Sequence, residues 1–376
     1  MATENNTQIS HSRSMKKTLL TPILLLLLSA SAQSQNLIDS TKSVMLYTDE
    51  DFKPIQIFGK ANDQNYTMGF GLGFSSQWLH KSWVLFPNEI ISSLFIRKDK
   101  KQDSNIVRLS PSLTLNGTAF TPLDLRRSDA VIGDRPYAFL LALSTKELFL
   151  NTKKKSLITT EFSYGLMGTK IGQWVQTKIH NIIKDTADTP IPMGWDNQIS
   201  KGGEPTFLYS FKYERLLYTV KLAEIRNLFE LKYGGEAMIG YYTGVAGNLG
   251  IRFGLLDPAN WYKGTSQLIN QHGIMKATPR SHTEAYVFAN ARPMYKIYNE
   301  LLSGGFKASA YTLPFDEIQQ ASVEWNFGIG LAFPGKRNNT FAVNWMLNAG
   351  RTSELNTSFS RSHQWGTINL TYNFGG

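Results

Sequence analysis

The chain has 376 residues, a formal net charge of +10 at pH 7 and no cysteine. Disulfides, a thiol nucleophile and a cysteine-linked lipid anchor are therefore excluded. Past the N-terminal region no stretch approaches the roughly eighteen uninterrupted apolar residues of a spanning helix, which excludes a helical membrane protein.

In chain order the first element is a leader. Residues 1–14 are polar, Met15-Lys16-Lys17 form a basic start, and "TLLTPILLLLLSASA" supplies an apolar run ending in small residues. Ala30-Ser31-Ala32 has the form of a secretory cleavage site, so residues 1–32 read as a signal peptide carrying a polar leader over 1–14. Its removal takes away Arg13, Lys16, Lys17 and Glu4 and lowers the net charge from +10 to +8. Residues 33–376 then form one exported domain. Without disulfides that domain needs a large core or a closed sheet.

The remainder alternates. Strand candidates begin near residues 44, 66, 84, 105, 137, 157, 205, 227, 245, 284, 304, 320, 339 and 365. In "TFLYSFKYERLLY" the residues Phe207, Tyr209, Phe211 and Tyr213 oppose Lys212 and Glu214, and the apolar set is expected to face lipid. In "WGTINLTYNFGG" the residues Ile368, Leu370, Tyr372 and Phe374 oppose Thr367, Asn369, Thr371 and Asn373. Period two with aromatic strand ends predicts an all-β, transmembrane antiparallel barrel of about twelve strands. A soluble β-sandwich shares the alternation. No repeat of about 20 to 50 residues points to a propeller or solenoid.

One stretch departs from this pattern. "GQWVQTKIHNII" has helical spacing: at roughly 100° per residue, Gln173, Gln176, Thr177 and Lys184 fall near His180, while Ile171, Val175, Ile179 and Ile182 fall opposite or beside it. The spacing predicts a helix over 171–184 with a polar face centred on histidine. Three further clusters are unusual: Asp49, Glu50 and Asp51 in "YTDEDF", Tyr66 and Thr67 in "NDQNYTMG", and Arg126, Arg127, Asp134 and Arg135 in "DLRRSDAVIGDRPYAF". Each has a structural reading as well. Acidic runs at strand ends are often solvated loops, Arg126 and Arg127 beside Asp124 and Asp129 form an ordinary exposed charge cluster, and a lone helical histidine is commonly a surface residue. Asp134-Arg135-Pro136 suits a turn into a strand. Taken together they have a chemistry. Histidine serves as a general base near neutral pH, clustered carboxylates suit calcium, and paired arginines grip phosphate. That set fits hydrolysis of an ester on a phosphorylated lipid.

The order and spacing of these pieces resemble the outer-membrane lipid A 3′-O-deacylase family, the LpxR type, from about Tyr47 to Phe374. The most specific piece is "YGLMGTKIGQWVQTKIHNIIKDTADTPIPMGWDNQ", which looks like the family's glycine-led loop helix with its Gly-Trp-Asp-x-Gln close. "DRPYA", "YTMG" and "RTSELNTSFSRSHQWG" follow the expected order. The resemblance implies a twelve-stranded barrel with the helix in an extracellular loop and the active site between helix and wall. It implies His180 as the catalytic histidine, with Thr67, Gln176 and Asp51 in the catalytic set. It further implies Arg126 and Arg127 on lipid A phosphate, and calcium (Ca2+) held by Asp49, Glu50 and Asp51. The expected setting is the bacterial outer membrane. There a monomer would act on lipid A or lipopolysaccharide among outer-membrane lipids, with no nucleic-acid partner.

The sequence also departs from the family. The family's Asn-Asp aligns with Thr48-Asp49 or with Glu50-Asp51, Met68 stands for the asparagine of Tyr-Thr-Asn-Gly, and Phe139 stands for the glycine after Asp-Arg-Pro-Tyr-Ala. The alternative functions are an outer-membrane phospholipase with a serine nucleophile and a non-enzymatic barrel such as a porin or scaffold. No serine here sits in a recognisable motif beside His180, as the phospholipase would require.

Overall fold

A computed structural model describes residues 42–50, 65–95, 105–183, 192–262, 282–335 and 339–374. The expected leader, residues 1–32, lies outside the described residues, as does Asp51. For Glu50, Thr67 and His180 the backbone is described and the side chain is not.

Among the described residues thirteen strands run in chain order: β1 (Lys42–Glu50), β2 (Asn65–Ser75), β3 (Ile106–Arg108), β4 (Ser112–Thr121), β5 (Ala138–Asn151), β6 (Ser156–Met167), β7 (Glu204–Ala223), β8 (Arg226–Gly240), β9 (Tyr242–Leu256), β10 (Glu284–Asn299), β11 (Ala321–Pro334), β12 (Thr340–Arg351) and β13 (His363–Phe374). Two helices of note are α1 (Phe86–Phe95) and α2 (Ile171–Ile183). The strands pair antiparallel with their neighbours. β1 joins β13, with Lys42 opposite Phe374, and β5 joins both β4 and β6, which closes the ring. Short β3 only extends the pairing along the last residues of β5. The result is the expected closed barrel of twelve strands.

Eleven of the strand starts read from alternation have a barrel strand beginning nearby, the start near 105 falls on short β3 ahead of β4 at Ser112, and two have no strand. The stretch near residue 84 forms 3-10 turns over Gln77–Lys81 and Trp83–Leu85 that lead into α1. Pro87 sits in the first turn of α1, where its missing N–H costs nothing, and it would interrupt a sheet ladder. The stretch near residue 304 is broken by Gly304, whose φ of +76° ends any extended run.

The alternation sorts side chains as the sequence implied. Along β13, Thr367, Asn369, Thr371 and Asn373 are buried in the lumen, while Leu370 and Tyr372 are exposed on the outside. Phe207 is likewise exposed, but Tyr209 on the same face of β7 is buried within electrostatic reach of Glu147. The expectation that Phe207, Tyr209 and Phe211 all face lipid therefore fails at Tyr209, because other parts of the chain overlie the wall there.

Ionic side chains fill the lumen. Arg292 bridges Glu236 at 2.7 Å and Glu324 at 2.8 Å. Arg351 joins Glu324 and Glu354, the latter at 2.9 Å, and Glu354 also takes Arg135 and Lys296. Lower down, Arg252 donates to Glu230 at 3.0 Å. The end of the barrel bearing Lys42 and Phe374 is its base, and the end bearing Thr121, Ala138 and Met167 is its rim.

Candidate active site on the outer wall

The site is built on the outside of β2, β4 and β5 near the rim. Gly69 and Gly71 point inward, the latter under the Tyr47 ring, so the alternate residues Met68 and Phe70 point outward. Across the pairing, Ala119 and Phe139 share that outer face. Met68, Ala119, Leu125, Tyr137, Phe139 and Trp195 make one buried cluster, with Val175 of α2 packed against it. In a wall facing lipid such a cluster exists only where something covers it.

Helix α2 is that cover. The chain leaves β6 at Met167 and turns at Gly168, whose φ is +71° and where a Cβ would lie 2.0 Å from the Ser200 carbonyl oxygen. Two residues of approach then set α2 against the wall. At Gly172 a Cβ would lie 2.6 Å from Cγ of Phe139, so glycine is what lets the helix rest on that ring. Phe139, one of the departures noted in the sequence, is thus the residue on which the helix sits.

Gln176 faces the wall and is 1% exposed. Its Oε1 accepts from the indole Nε1 of Trp195 at 2.7 Å. An indole N–H only donates, so it must meet the amide oxygen and leave the amide nitrogen pointing elsewhere. That nitrogen is buried and has no hydrogen-bond partner among the described residues. A buried donor without a partner costs about 1–3 kcal/mol, which an incoming acceptor would recover. His180 lies four residues on, at nearly the same angle of the helix and one turn further along.

Trp195 is held in turn. It sits in the short turn Gly194–Asn197, buried, with its ring 5.0 Å from that of Tyr137. Burial pushes the Tyr137 hydroxyl up to about 12, so this ring is uncharged in the neutral range. A Cβ on Gly194 would approach the Tyr137 ring to 2.5 Å. The turn is tied to the preceding rim loop: Met193 N–H donates to Leu125 O at 2.9 Å, and Asn197 Nδ2 donates to Ser128 O at 2.6 Å.

That loop carries the basic pair. Arg126 and Arg127 are both exposed. Arg127 Nε donates to Asp129 at 3.1 Å, and this bond holds the Asp129 carboxyl below its usual range. Arg126 donates its backbone N–H to Asp124 at 3.1 Å. The two guanidinium side chains therefore sit at the solvent side of the Trp195 turn, one of them in an exposed ion pair. Ile171, Trp174 and Met193 are exposed apolar residues around the same crevice.

The "DRPY" motif divides between three tasks. Asp134 accepts from Leu123 N–H at 2.7 Å and meets Arg361 at 2.8 Å, which fastens the rim loop. Arg135 turns into the lumen, to Glu354 and over the Phe120 ring at 4.4 Å. Tyr137 supports Trp195.

The structure brings some of the expected residues together and separates others. Gln176 and the backbone of His180 share one helix. The backbone of Thr67 lies at a register irregularity between Tyr66 and Met68, directly before a residue of the cluster beneath α2. Asp49 is elsewhere: it faces the lumen, pairs in register with Thr367 and accepts from its hydroxyl at 2.7 Å. Among the described residues no group of three or more histidine, aspartate or glutamate side chains is placed to hold a metal. Trp195 and Tyr137 are the participants that sequence reasoning missed. The Gly-Trp-Asp close is visible in the sequence, but nothing there shows that its indole meets Gln176.

A family model described as outer membrane protein LpxR matches residues 19–374. The chain belongs to the LpxR family. No curated protein matches. Among solved structures, LpxR from Salmonella typhimurium superposes with a TM-score of 0.65 at 17% identity, covering 88% of this chain and 99% of that one. That likeness shows the fold. More distant barrels include the β domain of the Bordetella autotransporter BrkA, at TM-score 0.40 and 9% identity over 89% of this chain and 99% of that one. The translocator domain of NalP from Neisseria meningitidis matches at TM-score 0.38 and 9% identity, over 96% and 95%. Family and closed barrel together place this LpxR-family chain in the bacterial outer membrane.

Proposed function

We propose that this LpxR-family barrel is a lipid A 3′-O-deacylase, hydrolysing the ester of the 3′-linked acyl chain. The observation that carries the reading is a helix seated on the lipid-facing side of the wall with a buried amide donor, Gln176, one turn before His180. A substrate whose acyl chains lie in the bilayer and whose phosphates lie at its surface would meet such a crevice sideways. Its chains would lie along Ile171, Trp174 and Met193, and its phosphate would reach Arg126 and Arg127 at the rim, on the extracellular side.

In this mechanism His180 takes a proton from water as the oxygen attacks the ester carbonyl carbon, then gives it to the sugar 3′ oxygen as the acyl C–O bond breaks and the fatty acid leaves. Gln176, its oxygen engaged by Trp195, offers N–H to the oxygen that gains charge or to the imidazole. Thr67, whose backbone directly precedes Met68 of the cluster beneath α2, is proposed to complete the site. Calcium remains part of the proposal, and when bound it would polarise the carbonyl. Because Asp49 is engaged by Thr367 inside the lumen, Glu50 and Asp51 are the residues proposed to hold the ion. The enzyme is proposed to work as a monomer.

Mass spectrometry of lipid A from cells with and without the protein tests this. Loss of one 3′ acyl unit is expected. Unchanged lipid A would overturn it, and lysophospholipid accumulation would point to a phospholipase instead.

A further inference from the structure

The base of the barrel carries a second excursion, between β2 and β4, and it is built inside out. It runs through the turns Gln77–Lys81 and Trp83–Leu85 into α1. On α1, Asn88 and Ser92 are buried four residues apart, while Phe86 and Ile90, also four apart, are 62% and 48% exposed. Trp83, just before, is 78% exposed. A helix packed on a protein in water turns its apolar stripe inward. On this one Asn88 and Ser92 face the wall while Phe86 and Ile90 face away beside Glu89 and Ser93, and the buried apolar contacts of the excursion come from Leu79 and Leu85 in the turns before it.

The wall beneath has the matching inversion. Lys146 and Glu161 pair inside the lumen at 3.2 Å, so their neighbours Thr145, Glu147 and Thr160 face outward, where a barrel ordinarily shows apolar residues. All three are buried. Asn88 Nδ2 donates to Thr145 Oγ1 at 2.8 Å. Arg108 Nε donates to Glu147 at 3.1 Å, and its Nη2 reaches Glu89 of α1 at 3.2 Å. The excursion therefore lies as a strap over a polar strip of the outer wall. In hydrocarbon, unpaired polar groups of that strip would each cost several kcal/mol.

The exposed side of the strap continues the lipid-facing wall. The Trp83 ring lies 6.5 Å from Tyr164, whose hydroxyl donates to Val84 O at 3.3 Å. Tyr164 lies 4.7 Å from Phe162, which stacks at 6.0 Å on exposed Phe207. The row Trp83–Tyr164–Phe162–Phe207 thus passes from strap to wall on one outer surface. At the base, the turn that joins the two strands under the strap carries Lys153, Lys154 and Lys155, all exposed. An apolar outer surface that ends in lysines at the base is what a barrel presents to a leaflet with anionic headgroups.

We infer that the strap 77–90 is a membrane-embedded anchor: Trp83, Phe86 and Ile90 contact acyl chains of the bilayer, and Lys153–Lys155 at the base engage the headgroups of anionic phospholipid on that side. The inference rests on the barrel's place in the outer membrane and is independent of the deacylase reading. The tight turns at the base, such as Thr152–Lys155, mark that end as the periplasmic one.

The absence of cysteine makes the test clean. Single variants Trp83→Cys, Ile90→Cys, Leu46→Cys on the bare wall and Lys154→Cys in the turn are spin-labelled and refolded into bilayers containing phosphatidylglycerol. Labels at 83 and 90 should relax with oxygen more than with a water-soluble nickel chelate, as the label at 46 does, and the label at 154 should show the reverse. Labels at 83 and 90 that follow the 154 pattern would overturn the anchor. Native mass spectrometry then compares retained phosphatidylglycerol in the wild type and in Lys153→Gln/Lys154→Gln/Lys155→Gln. About fivefold less retention per lysine is expected, and equal retention would overturn the headgroup assignment.

Discussion

The two sides of the wall use polar residues in opposite ways. Inside, charge meets charge: Glu354 takes Arg135, Lys296 and Arg351, and Arg292 is held from both sides by Glu236 and Glu324. Outside, beneath α2, there is little charge, and an indole–amide bond leaves the Gln176 amide nitrogen buried beside the apolar cluster. Buried polar atoms without a hydrogen-bond partner among the described residues occur on both sides, at Arg292 Nε and His363 in the lumen as at Gln176 outside. What distinguishes the outside is that its spare donor lies on the lipid-facing side of the wall, one turn before His180, where an acyl ester could reach it.

The largest expected effect tests the outer side. His180→Ala should lower deacylation by about 10²- to 10⁴-fold, the usual worth of a general base, while the barrel keeps its heat-modifiable migration on a gel. Wild-type turnover by a folded variant would remove the base from the mechanism. The inner side should answer through stability instead. Glu354→Ala leaves Arg135, Lys296 and Arg351 without a shared carboxylate and should destabilise the barrel by about 3–5 kcal/mol, read as a lower urea midpoint. The molecules that remain folded should deacylate at the wild-type rate. A turnover loss with an unchanged midpoint would mean that lumen and crevice are not separate.

A finer effect belongs to Trp195. Trp195→Phe keeps a ring against Tyr137 but removes the donor that fixes the Gln176 oxygen. A buried acceptor left without a partner costs about 1–3 kcal/mol, and the amide is then free to turn. Turnover should fall about tenfold with KM little changed. A rise in KM alone would make Trp195 part of the substrate wall and no positioning residue.

The same contrast explains what was legible in the sequence. Alternation located the strands because period two is a local signal. The same signal near residue 84 belongs to a helix, whose exposed Phe86 and Ile90 beside polar neighbours resemble a lipid-facing strand. The helix over 171–184 and its histidine were legible because 3.6-residue spacing stands out among strands. Which side of the wall a charged residue faces was not legible from composition. Asp134 and Arg135 are adjacent, yet one fastens the rim and the other fills the lumen. The role of Trp195 depends on a contact with a residue nineteen positions earlier, and neither spacing nor composition encodes that.

The smallest expected effect is the sharpest test of the comparison, and it concerns Asp49. Asp49 accepts from Thr367 in the lumen, across the wall from Met68. Asn at this position keeps an oxygen in place to accept the same hydroxyl, so Asp49→Asn should alter turnover by no more than about twofold, the scale of a substitution away from any special contact. Asp51→Asn should instead weaken the response to added calcium after chelation, because hard anionic oxygens are what that ion selects. Asp51 lies outside the described residues, beyond the end of β1, so the two variants separate a ligand in the lumen from one in the following segment. If Asp49→Asn abolished calcium-dependent turnover while Asp51→Asn did not, the ion would be held by the lumenal carboxylate. The assignment of the metal to Glu50 and Asp51 would then be wrong.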